Sequence, residues 1–102
     1  MTIMMMIITM MIMKPYRVKH VPTGLYYKPD EPQLSEKGGK VYTSKNCIIQ
    51  YAEKFGVDIR IPKTSRLVNK YPIIKSLSNS TYSTYLIRIT EDNINDLQIE
   101  EL

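Results

Sequence analysis

A chain of 102 residues with one cysteine fits a single domain with one modest core, and excludes a disulfide framework or a cysteine-built metal site. Its formal charge of +4 hides a polarity: residues 14–90 carry all fourteen Lys and Arg against five acids, while residues 91–102 carry five acids and no base. A basic body suits a polyanion, since phosphates reward spread cations, and equally suits an ordinary solvated surface; composition decides neither.

Residues 1–13 (MTIMMMIITMMIM) hold all seven methionines, and eleven of the thirteen are Met or Ile. A membrane-spanning helix needs ~20 apolar residues, and this run meets Lys14, Pro15 and Arg17 first. A basic start and a small-residue cleavage site, the marks of a secretory signal, are both missing, so stable membrane insertion is not expected. Two readings stay open: an upstream translated extension, with Met13 the true start, or a buried strand built on β-branched Ile and Thr. The extension is favoured, because Met specifies a core poorly and no turn residue punctuates the run. Residues 14–102 then form one α+β domain that ends in the acidic segment 91–102. The unpaired thiol fits a reducing, intracellular setting.

From Tyr16 to His20 apolar and basic residues alternate, which is strand period two. Val21-Pro22-Thr23-Gly24 supplies turn chemistry, and Leu25 to Lys28 returns as a second strand. Residues 30–39 read as a polar loop anchored by Leu34 and broken by Pro32 and the Gly38-Gly39 pair. Lys40 to Thr43 reads as a third strand. A helix is expected over about 46–55, with Ile48, Tyr51, Ala52 and Phe55 on one face and Gly56 as its stop.

Val57 to Ile61 alternates again and ends at Pro62. Thr64 or Ser65 can cap a turn running to Tyr71, while 73–77 is ambiguous between strand and helix. Thr81 to Thr90 is rich in strand formers, with Tyr85, Ile87 and Ile89 on one face. Thr90, Glu91 and Asp92 suit the start of a C-terminal helix over about 91–101, docked by Ile94 and Leu97. The expected architecture is a small antiparallel sheet of four to five strands, with one helix packed across it and this second helix at the end.

The stretches Lys19-His20-Val21-Pro22-Thr23-Gly24-Leu25-Tyr26-Tyr27 and Leu34-Ser35-Glu36-Lys37-Gly38-Gly39-Lys40-Val41-Tyr42 resemble small uncharacterised proteins of tailed bacteriophages and other large DNA viruses. The resemblance spans roughly 30 of the 102 residues and implies a viral source, placed in the host cytoplasm or the virion, with no activity attached.

Little here points to catalysis. His20, the single histidine, sits on an apolar strand face, where a packed imidazole is the commoner outcome. Cys47 opens the expected helix, where the dipole lowers a thiol pKa, but a small apolar core residue is the favoured reading. The acids show no metal-ligand spacing, and no Walker loop or dinucleotide fingerprint occurs. No cofactor, metal or catalytic residue is therefore expected.

Tyrosine is the residue to weigh instead: eight Tyr, several beside Lys or Arg, match the stacking platforms and positive grooves of single-strand binders. Non-enzymatic binding of nucleic acid is the leading expectation. Arg17, Lys19, Lys28, Lys40 and Lys45 would meet phosphates, and Tyr26, Tyr27 and Tyr42 would stack on bases. The alternative is a virion or host-protein interaction module using the same residues, since Tyr and Arg are enriched at interface hot spots. A third expectation is that 91–102 covers the basic face until a polyanion displaces it.

Overall fold

A computed structural model describes residues 14–43 and 47–102; the expectations for the Met/Ile run 1–13 and for Lys45 lie outside the described residues. The α+β expectation is met, with two antiparallel sheets in place of one. The chain runs β1 (Tyr16–His20), β2 (Leu25–Tyr27), β3 (Leu34–Ser35), α1 (Cys47–Phe55), β4 (Val57–Pro62), α2 (Arg66–Lys70), α3 (Ile73–Leu77), β5 (Asn79–Ser80), β6 (Thr84–Ile89), a 3-10 turn (Ile94–Asp96) and β7 (Leu97–Glu101).

The first sheet has the order β3-β2-β1-β7. Alternation in β1 buries Tyr16, Val18 and His20 and leaves Arg17 and Lys19 at the surface. Gly24, at φ +73°, closes the hairpin, its N–H donating to His20 O at 2.8 Å. The pairing sets Lys19 opposite Tyr26 and His20 opposite Leu25. Beyond Tyr27 the place beside β1 passes to residues 38–42: Tyr42 and Tyr16 exchange both backbone hydrogen bonds, at 2.7 and 2.9 Å, and Lys40 N–H reaches Tyr27 O. The expected strand over 40–43 is thus a single bridge at Tyr42.

The second sheet, order β4-β6-β5, pairs β4 with β6 over six residues and sets Ile59 against Ile87 and Val57 against Ile89. Its free β4 edge is plugged by the loop after β2. Gln33 N–H donates to Arg60 O, and Gln33 Oε1 accepts from Arg60 N–H at 2.6 Å. Ile59, Ile61 and Ile89 of this sheet join Val18, Leu25 and Leu34 of the other in one buried cluster. Ser65 caps α2, its Oγ accepting from Leu67 N–H as expected.

Two expectations are corrected. The C-terminal helix over 91–101 is absent: Asn93 Oδ1 takes the Thr90 N–H at 2.7 Å and its Nδ2 donates to Arg88 O, turning the chain at once. Leu97 to Glu101 then pairs with all of β1. An unfilled strand edge outcompetes the helical spacing of Ile94 and Leu97, which still dock, Leu97 being buried and Ile94 half-buried. The acidic tail is therefore part of the first sheet through Leu97–Glu101.

The second correction concerns α1. Ala52 is fully buried and Ile48 and Ile49 pack on the core, but Tyr51 and Phe55 are 55% and 62% exposed. They pair with each other, ring centroids 5.1 Å apart, because the helix is rotated to bring Ile49 inward in their place.

Candidate nucleic-acid interface

Period two in β1 and β2, together with their register, brings Arg17, Lys19 and Tyr26 to the outer face of the first sheet. The same register puts Glu100 of β7 opposite Arg17. Glu100 Oε1 accepts from Tyr26 O–H at 2.7 Å, and Oε2 lies 4.0 Å from Lys19 Nζ. That hydrogen bond, chiefly, raises the Tyr26 phenol pKa above its ordinary value. The face is accordingly basic and aromatic with one carboxylate set into it. An exposed pair of this kind contributes little to stability, so Glu100 mainly tunes the charge of the face.

Arg17 is held from the other side by Gly38. Its Nε has no hydrogen-bond partner among the described residues, and Gly38, at φ +92°, packs so closely that a Cβ would collide with the guanidinium. The doubled glycine is thus what lets residues 38–42 cross Arg17 and reach β1.

The remaining expected residues divide. Tyr27 is buried on the opposite face, and burial raises its phenol pKa; it has no open face to offer a base. Neighbours in a strand point to opposite sides, so Tyr26 and Tyr27 could never have stacked together, a signal present in the sequence. Tyr42 is half-buried, its ring stacked on Tyr16 at 5.6 Å with Lys40 Nζ 5.1 Å above it. Lys40 and Tyr42 therefore serve the packing of 38–42 against β1.

Lys28 leads elsewhere. With Lys37 after β3 and Arg66 at the start of α2 it lines a cleft of about 340 Å³, floored by Leu34 and Leu67. Glu36 is the one acid of the lining, and it is already matched: Oε2 accepts from Lys70 Nζ at 2.6 Å and from Tyr71 O–H at 3.0 Å. Those two bonds hold the Glu36 carboxyl pKa below its usual value. Sequence reading missed Lys37, Arg66 and Glu36 as a group, because Arg66 of α2 meets the adjacent Glu36 and Lys37 only in the folded chain.

His20 is buried, with Nδ1 2.8 Å from Thr23 Oγ1. Burial lowers its pKa from 6.5, opposed by the charge of Asp96. A depressed imidazole pKa means that the unfolded chain binds the extra proton first, so stability is complete above pH 6.5 and falls as pH drops below it. Urea melts from pH 7.5 to 5.5 should show a loss approaching about 1.4 kcal/mol per unit, and His20→Gln should flatten that slope. Glu36, with its pKa lowered from 4.5, acts only at more acid pH, which keeps the two windows apart.

Among the described residues no group of three or more His, Cys, Asp or Glu is gathered as a metal site, and no helix is long and apolar enough to cross a membrane. Cys47 is the first residue of α1. Compared with known proteins, the chain matches no family model, no curated protein and no solved structure.

Proposed function

We propose that the protein is a non-enzymatic viral accessory protein, in the host cytoplasm or the virion, that binds nucleic acid through its phosphate backbone. The observation that carries this reading is the shared outer face of β1 and β2, where Arg17 and Lys19 flank the half-exposed Tyr26. Cations on a flat sheet with an accessible ring can hold phosphates and stack a base at once.

Glu100 makes the reading testable. Removing its charge leaves the strand intact and the face more basic, so Glu100→Gln should tighten single-stranded DNA or RNA several-fold, and Lys19→Gln should weaken it. With about two phosphates neutralised by Arg17 and Lys19, affinity should fall roughly sevenfold between 50 and 200 mM salt. Fluorescence anisotropy of a labelled oligonucleotide measures both effects, and a flat salt response would sink the proposal.

A second reading, a protein-interaction module, is favoured by different residues from those expected. Tyr51 and Phe55 stand exposed as a pair on α1, and Tyr82 is fully exposed. Aromatic side chains of this kind anchor protein interfaces. Purified protein whose 260/280 nm absorbance ratio is that of protein alone would favour this second reading.

A further inference from the structure

We propose that the cleft between the β2–β3 edge and α2 receives a phosphate monoester carried on a nucleoside. The inference rests on the nucleic-acid reading and names the part of the ligand that this cleft recognises. Three cations, Lys28, Lys37 and Arg66, line the cleft with one carboxylate, Glu36, and that carboxylate is engaged by Lys70 and Tyr71. The surplus matches a dianion, which a phosphate monoester is near neutral pH and a backbone diester is not. Arg offers the planar fork that grips phosphate oxygens in pairs, while Lys adds compact positive charge.

Size and lining make the same distinction. A cleft of about 340 Å³ is at the small end of ligand pockets and has room for a sugar and base beyond the phosphate. Leu34 and Leu67 offer apolar contact for that part. Ser35 and Ser65, also in the lining, each accept a backbone N–H, from Lys37 at 3.1 Å and Leu67 at 3.3 Å. Each serine oxygen is fixed by that bond, and its proton remains to donate to a phosphate oxygen. Glu36 is the built-in competitor: an arriving phosphate meets Lys70 and Tyr71 only by taking over part of what Glu36 now holds. Two sources carry this chemistry, the 5′-phosphorylated end of a strand and a free mononucleotide.

The test compares two labelled single-stranded oligonucleotides of one sequence, one with a 5′-phosphate and one with a 5′-hydroxyl, by anisotropy on the full chain. The phosphorylated strand should bind at least fivefold tighter. That preference should vanish in Arg66→Gln and in Lys37→Gln, whose exposed rim position leaves the packed wall intact, and should grow in Glu36→Gln. Competition by AMP at millimolar concentration would identify the free nucleotide as a ligand; a preference that AMP leaves untouched would assign the cleft to strand ends. Equal affinity for the two oligonucleotides overturns the cleft assignment and leaves the sheet-face reading to stand on Lys19→Gln. Failure of both to bind overturns the two readings together.

Discussion

Truncating Ile59 to alanine is expected to lower the free energy of unfolding by about 3–4 kcal/mol, among the largest effects any single change here can have. Ile59 is fully buried in β4 and lies directly across from Ile87 of β6. Removing three carbons there loses their transfer energy and opens a void that six paired positions hold open, because the flanking strands cannot close without breaking the ladder. For a domain of this size the melting temperature should drop by roughly 15–20 °C. Ile73, an apolar residue left 42% exposed on α3, is the control: its truncation should cost about 0.5 kcal/mol or less. Thermal melts of the two variants decide the matter, and near-equal losses would mean that β4 and β6 do not form the centre of the core.

Gly39→Ala should cost about 3 kcal/mol for a different reason. Gly39 sits at φ +61°, and a Cβ there would run into the backbone carbonyl of Tyr27. A backbone atom cannot swing aside as a long side chain does, so strain and collision add. Gly24, at φ +73° with open space around it, isolates the first contribution, and Gly24→Ala should cost only about 1 kcal/mol. Urea denaturation separates them: the Gly39 midpoint should fall by about 2 M and the Gly24 midpoint by less than 1 M. Equal shifts would show that residues 38–42 yield to the intrusion and do not lie locked against β1.

What could be read from the sequence was what local periodicity controls. β1, β2, β4, β6 and the limits of α1 follow from alternation or helical spacing between glycines and prolines, and Ser65 was recognisable as a cap. What could not be read was set by partners far along the chain. Leu97-Gln98-Ile99-Glu100 alternates as a strand does, yet only the vacant edge of β1 makes pairing the better outcome. Gln33 gave no local sign that it would plug β4, and α1 turns Tyr51 and Phe55 outward because Ile49 fits the core beside Ala52. The expected site splits along the same line. Arg17, Lys19 and Tyr26 share a face because strand period dictates it, whereas Glu100 enters that face through a pairing some eighty residues away. The cleft of Lys28, Lys37 and Arg66 is put together wholly by tertiary structure.

The pairing of β1 with β7 also governs when this molecule can become complete during synthesis. β1 is among the earliest parts of the domain to leave the ribosome, yet its neighbour on one side is residues 97–101. Until those emerge, Val18 and His20 lack one wall of their enclosure, and the nascent chain presents an open edge beside its most basic strand. At a translation rate of about 5–20 residues per second, that interval lasts several seconds, so closure of the first sheet waits on the synthesis of residues 97–101.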